Sequence, residues 1–137
     1  MKRPVTTVED WKIKISVLWL FWTVAFLITL VAALFEPGAM QQISSGVVAG
    51  MQMTPELILV GVVLMLVSLV MAFLSLTLRG SLNRWANVVL GIAYTGICLF
   101  DWLASPAQPS YQILLYISKI TASALIVRYA WKSKQKV

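Results

Sequence analysis

The chain has 137 residues, of which 60% are hydrophobic and 12% charged, with a formal net charge of +6 and no histidine. Soluble domains are nearer half apolar and about a quarter charged. The composition therefore excludes an ordinary soluble domain and predicts an all-α membrane protein. The cations lie in short flanks beside apolar runs, so they indicate membrane topology and argue against nucleic acid as a partner.

Four apolar runs predict a four-transmembrane-helix bundle, with residues 1–137 forming a single membrane domain. The first run is too long for a signal-peptide core and is expected to be a retained span. Glu36-Pro37-Gly38 ends that run, and Thr54-Pro55-Glu56 is a strong start signal for the next helix. The predicted spans are residues 8–35, 54–78, 84–103 and 110–131, each to within a few positions.

The first loop, between Ala39 and Met53, carries apolar residues at near-helical spacing. This spacing favours a short helix lying on the membrane surface. Gly46 and Gly50 favour the alternative of a flexible loop. The residues leave both interpretations open.

The distribution of cations predicts the orientation. Every lysine and arginine except Lys119 lies before the apolar run that begins at Ile15, near the turn between the second and third spans, or at the end of the fourth. The opposite side carries Glu36, Glu56 and Asp101 instead. The positive-inside rule therefore places both termini in the cytoplasm and the first loop outside.

Two polar stripes mark the third and fourth spans at helical spacing. Because a tight turn joins these spans, we expect the stripes to face each other and form a candidate intramembrane polar site. Lys119 would lie ~13 Å below the outer boundary, where an unpaired charge is costly, so it is expected to pair with Asp101 directly or through water. The alternative is a lysine that extends toward the membrane surface. The members of the candidate site are Asn87, Tyr94, Cys98, Asp101, Gln112, Tyr116 and Lys119.

Sequence spacing assembles no nucleophile with a base, no carboxylate pair and no metal cluster, so we predict a protein that is not an enzyme and has no catalytic, cofactor or metal site. Cys98 is the single cysteine and is expected to be a small core residue. Trp22 lies so deep in the first span that its indole N–H needs a partner. A stripe of small residues predicts a close helix contact along the second span: Gly61, Ser68, Ala72 and Ser75.

Several short motifs carry a resemblance that covers nearly the whole chain. They are EPG after the first span, TPE before the second, NRWAN at Asn83–Asn87 and YAW at the end of the fourth. On these motifs the chain resembles an uncharacterised family of small bacterial four-helix integral membrane proteins, a domain of unknown function. The resemblance implies four helices, a bacterial inner membrane and no assigned activity. The architecture is also similar to that of DoxX-like proteins, some of which are tied to respiratory or thiol chemistry.

The leading hypothesis is an integral inner-membrane protein that handles a small solute or ion, or that serves as an accessory subunit. Two alternatives stay open: a DoxX-like redox accessory protein with an apolar quinone slot, and a structural or assembly subunit. The lipid bilayer is the expected partner, and a second copy or a membrane partner protein fits each hypothesis. A small multidrug-type transporter is disfavoured, because the first span has no embedded acid between Ile15 and Phe35.

Overall fold

The computed structural model describes residues 10–48, 51–104 and 110–132. The predicted first residues of span one and the turn at 105–109 lie outside these ranges. Four long helices are each apolar and long enough to cross a membrane, which confirms the predicted four-helix membrane architecture. The elements in chain order are α1 (Asp10–Leu34), α2 (Ala39–Ser44), β1 (Val47–Val48), β2 (Met51–Gln52), α3 (Pro55–Thr77), α4 (Gly80–Ala104) and α5 (Ser110–Lys132).

The loop before α3 combines the two interpretations left open by the sequence. The short helix is present as α2, which covers six residues. Gly46 takes a positive φ of 88°, which glycine adopts easily, and it follows the end of this helix. The chain then forms an antiparallel pair in which Val48 lies opposite Met51. The segment is therefore part helix and part loop.

The boundaries of α3 and α4 follow from local chemistry. Thr54 caps α3 as expected, since its hydroxyl oxygen accepts a hydrogen bond of 3.1 Å from the backbone N–H of Leu57. The short connection expected at 79–83 is shorter still in the structure, because α4 already begins at Gly80 and only Leu78 and Arg79 connect the helices. This earlier start places Asn83 inside a helix, where it is fully buried.

The long helices pack around a core of aromatic and small side chains. Helix α1 packs along α3 and α5, and α4 packs along α5, whereas α3 and α4 touch little. A long side chain connects α4 to α3: the hydroxyl of Tyr94 donates a 2.6 Å hydrogen bond to the backbone oxygen of Leu64. Large apolar side chains on all four long helices point outward, as expected for contact with a lipid bilayer.

Two small-residue contacts hold the helices together. On α3, Ser68, Ala72 and Ser75 are buried as expected, and the Ser16 hydroxyl of α1 donates a 2.7 Å bond to the Ala72 oxygen. Gly61 does not belong to this contact, because no neighbouring atom lies within 4 Å of the place where a Cβ would stand.

The closest approach involves Gly91 of α4. A Cβ added there would lie 2.6 Å from Val127 Cγ2 and 3.3 Å from the Ser123 oxygen of α5. Such distances leave no room for a side chain, so glycine allows α4 and α5 to approach each other.

Candidate intramembrane polar site

The first polar cluster, which we call the asparagine layer, contains Trp19, Ser75, Asn83 and Asn87. The Asn87 side-chain oxygen accepts hydrogen bonds from Trp19 Nε1 at 2.7 Å and from the Ser75 hydroxyl at 3.1 Å. Its amide nitrogen donates to the Asn83 side-chain oxygen at 2.6 Å and to the Asn83 backbone oxygen at 2.9 Å. Asn83 in turn donates to the backbone oxygen of Ser75 at 2.8 Å. The layer joins α1, α3 and α4 through satisfied hydrogen bonds.

The second cluster, which we call the lysine layer, contains Trp22, Phe26, Cys98 and Lys119. Only 4% of Lys119 is exposed. Its ammonium lies 5.1 Å from the ring centre of Phe26 and 5.0 Å from that of Tyr116, within the range of cation–π attraction. The Asp101 carboxylate also acts on it electrostatically.

The expected pairing of Lys119 with Asp101 is not present as a direct ion pair. The Asp101 carboxylate instead accepts a 2.6 Å hydrogen bond from the hydroxyl of Tyr116. Within residues 10–48, 51–104 and 110–132, no hydrogen bond from the Lys119 ammonium to an acceptor is formed, so its neighbours there are chiefly aromatic faces. The Lys119 side chain does not run along the surface of the bundle either, because only 4% of the residue is exposed.

Trp22 contributes a buried donor to the lysine layer. Only 1% of the residue is exposed, and its Nε1 finds no nitrogen or oxygen acceptor among the described residues. The indole N–H instead approaches the Cys98 sulfur, which is a weak acceptor. The Trp22 ring is held in place by Tyr94, whose ring centre is 4.7 Å away in an edge-to-face arrangement, and by Phe26 at 5.4 Å.

The outer part of the bundle holds the remaining predicted site residues. Trp102 stacks on Tyr116 with a ring separation of 5.7 Å and an angle of 4°, which fixes the ring that separates Asp101 from Lys119. Gln112 is buried on α5 one turn before Tyr116. The tyrosine therefore links the lysine layer on one side to the carboxylate on the other.

The seven predicted site residues thus do not form one site. Tyr94, Cys98, Tyr116 and Lys119 come together, Asp101 and Gln112 lie beyond Tyr116, and Asn87 belongs to the asparagine layer. Sequence reasoning missed Asn83, although its position four residues before Asn87 places both amides on one helical face. It also missed Phe26, which lies four residues after Trp22.

Metal binding has no support in the part of the chain that the structure describes, where no group of three or more cysteine, aspartate or glutamate side chains converges. A surface groove of about 280 Å³ does lie between α1 and α5. Leu18, Phe21, Ser118 and Thr121 contribute to its wall. On α5, Ser118 is partly exposed and Thr121 is exposed, whereas Lys119 between them is buried, so the groove lies on the lipid-facing side of the helix.

Helices of this length and hydropathy, with polar clusters enclosed between them, define a multi-pass integral membrane protein. Its relatives identify it further. Residues 6–137 match the model of a family of unknown function, DUF6326, and the chain belongs to that family. This confirms the expected resemblance to a small uncharacterised membrane-protein family. No curated protein and no solved structure matches the chain significantly.

Proposed function

We propose that this protein is an ion-handling component of a bacterial inner membrane, and that the lysine layer holds a small inorganic anion. One observation carries the proposal: the buried Lys119 side chain and the Trp22 indole, whose N–H has no nitrogen or oxygen acceptor among the described residues, both pack against the Phe26 ring. Buried polar groups are nearly always satisfied, and exceptions call for an explanation. An anion would satisfy both donors.

Electrostatics favours an anion over a neutral solute. A charged lysine inside a membrane costs roughly 2.5 to 3.5 kcal/mol on the insertion scale, so such residues normally meet a counter-charge or water. Asp101 is the only carboxylate that acts on Lys119 electrostatically among the described residues, and Tyr116 holds it by a hydrogen bond. The aromatic faces of Phe26 and Tyr116 stabilise the ammonium from two sides while leaving its N–H groups for a ligand.

The test is anion binding by the full chain in detergent, with chloride as the probe and gluconate at equal ionic strength as the reference. We expect chloride to raise the thermal midpoint of the parent protein, since a ligand that binds only the folded state stabilises it. Lys119→Met should lose this shift, whereas Lys132→Met, which removes an exposed lysine at the end of α5, should keep it. An equal chloride shift in the parent and in Lys119→Met would contradict the proposal.

A quinone-binding accessory function is the second candidate, and the α1–α5 groove favours it. The groove is mostly apolar and large enough for part of an isoprenoid tail. Thr121 contributes a hydroxyl to its wall, and a quinone carbonyl is an acceptor for such a donor. Quenching of tryptophan fluorescence by a soluble ubiquinone analogue, lost in Phe21→Ala and insensitive to chloride, would favour this candidate over the anion.

We further propose that residues 1–137 act as one membrane domain with both termini in the cytoplasm. The Lys12 ammonium donates a 3.1 Å bond to the backbone oxygen of Leu78, so the start of α1 and the α3–α4 connection lie at the same end of the bundle. The positive-inside rule supports a cytoplasmic location for that end. In a Cys98→Ser background, a cysteine at Ser45 should react with an impermeant maleimide from outside the cell. Labelling only from the cytoplasmic side would reverse the orientation.

A further inference from the structure

A second arrangement of a cation and aromatic rings lies at the opposite level of the bundle, near the start of α4. The Arg84 guanidinium carbon is 4.6 Å from the ring centre of Trp85 and 5.1 Å from that of Trp131 on α5. The two indoles meet edge to face, with ring centres 6.1 Å apart and an angle of 88°. The rings therefore form two walls of a corner around the guanidinium, which we call the arginine corner.

The hydrogen-bonding groups of Arg84 point to a missing acceptor. Its Nε is buried and has no hydrogen-bond partner among the described residues. A guanidinium carries five N–H donors in a planar fork, and aromatic faces can stabilise its charge but cannot accept five hydrogen bonds. Carboxylate and phosphate match this fork, and no carboxylate in the part of the chain that the structure describes forms an ion pair with it.

The position of the corner indicates where the acceptor comes from. Arg84 is four residues into α4, about 6 Å from the helix end at 1.5 Å per residue, and Trp131 is one residue before the end of α5. Tryptophan at such a depth is typical of the membrane–water interface. Trp85 and Trp131 are 47% and 51% exposed, so the corner opens toward the level at which phospholipid headgroups lie.

We propose that the arginine corner binds the phosphate of an anionic phospholipid. The guanidinium fork donates to the phosphate oxygens, and the two half-exposed indoles contact the glycerol and upper acyl region of the same lipid. Arg79, Arg128 and Lys132, which lie near the same ends of α3, α4 and α5, raise the local concentration of anionic lipid without forming the site. This proposal does not depend on the anion proposed for the lysine layer.

The experiment measures binding of phosphatidylglycerol to the full chain by native mass spectrometry, with phosphatidylcholine and inorganic phosphate as comparison probes. Arg84→Gln should weaken phosphatidylglycerol binding at least tenfold. Arg79→Gln is the matched control, because it removes an exposed arginine from the same connection without aromatic neighbours. Arg79→Gln should weaken phosphatidylglycerol binding by no more than about fivefold, which is the effect of one interfacial charge.

Three outcomes would overturn the assignment. Equal losses in Arg84→Gln and Arg79→Gln would show general charge attraction, and complete displacement of the lipid by inorganic phosphate at constant ionic strength would show a site for free phosphate. Arg84→Lys keeps the charge and removes the planar fork, so we expect at least a threefold loss; binding equal to the parent would also contradict the proposal. If Arg84→Gln fails to fold, the phosphatidylglycerol binding of Arg84→Lys provides the test.

Discussion

The asparagine layer, on α1, α3 and α4, and the lysine layer, on α1, α4 and α5, both contain buried polar side chains, yet their hydrogen bonding differs. In the asparagine layer, the side-chain oxygen and nitrogen of Asn87 both have partners, and the Trp19 indole N–H meets an acceptor at 2.7 Å. In the lysine layer, the Trp22 indole N–H has no hydrogen-bond partner among the described residues, although it lies only one helical turn from Trp19.

This difference separates a structural role from a binding role. A satisfied network inside a membrane stabilises one arrangement of the helices, and removing a member leaves its partners with unmet hydrogen bonds. A buried donor without an acceptor, such as the Trp22 indole N–H, costs stability in the absence of a ligand and is available to bind one. The two layers should therefore respond oppositely to substitution: the first in stability, the second in ligand dependence.

Asn87→Leu should give the largest effect. It removes the acceptor of Trp19 and Ser75 and the donor to Asn83, so the free energy of unfolding should fall by about 3 kcal/mol. Reversible unfolding in mixed micelles measures this change. Thr121→Leu, a similar replacement at an exposed position on α5, is the control and should change the free energy by less than about 0.5 kcal/mol. Equal changes in the free energy of unfolding for Asn87→Leu and Thr121→Leu would contradict a structural role for the asparagine layer.

Gly91→Ala tests the helix contact that supports both layers, since Gly91 lies between Asn87 and Tyr94 on α4. The new Cβ would meet the stiff side chain of Val127, and we expect a loss of about 2 kcal/mol. Gly96→Ala on the same helix has open space around its Cβ and should be neutral or stabilising. Thermal unfolding of the two variants side by side checks the pair. A Gly91→Ala protein as stable as Gly96→Ala would mean that α4 and α5 are farther apart than described.

A double-mutant cycle on Asp101 and Tyr116 should show a smaller energy. Their 2.6 Å hydrogen bond predicts a coupling of about 1 kcal/mol between Asp101→Asn and Tyr116→Phe. The corresponding cycle between Asp101→Asn and Lys119→Met should give less than about 0.5 kcal/mol, because no direct ion pair joins these two residues. Unfolding free energies of the single and double variants provide both values. A larger coupling between Asp101 and Lys119 than between Asp101 and Tyr116 would support the ion pair that the sequence suggested.

Lys119→Met should have the smallest effect on stability. Methionine keeps the length of the stem and removes a buried charge without breaking an ion pair, so the free energy of unfolding without added halide should stay within about 1 kcal/mol of the parent or rise. Denaturation in halide-free buffer measures it, beside Asn87→Leu. A loss as large as that of Asn87→Leu would place Lys119 in a structural network and abolish the contrast between the layers.

Sequence patterns predicted the long-range architecture because apolar length and capping residues are local properties. The Thr54-Pro55 start and the inward-facing stripes could be derived from spacing alone. The partners within the site could not, since they depend on helix rotation and neighbours distant in sequence. Asp101 and Lys119 have opposite charges, but the intervening Tyr116 takes the carboxylate, and Phe26 of α1 takes a place beside the ammonium.

The same limit explains the errors at small residues. Gly61 and Gly91 look alike in sequence, but only Gly91 faces a helix close enough to exclude a Cβ. Helix spacing identifies a face and does not reveal how near the next helix comes, because that distance is set by the side chains of both helices together. The early start of α4 at Gly80 also depends on tertiary structure. It places Asn83 inside the helix, where the side-chain amide of Asn83 donates a hydrogen bond to the backbone oxygen of Ser75.

The most direct test of the lysine layer is the anomalous scattering of crystals grown with bromide in place of chloride. We expect a bromide peak within about 3.5 Å of both Lys119 Nζ and Trp22 Nε1, a normal contact distance for a halide and an N–H donor. No peak is expected in the asparagine layer, whose donors are already satisfied. Crystals of Lys119→Met should lack the peak. A lysine layer without bromide, with the Lys119 ammonium bonded to the Asp101 carboxylate, would contradict an anion site.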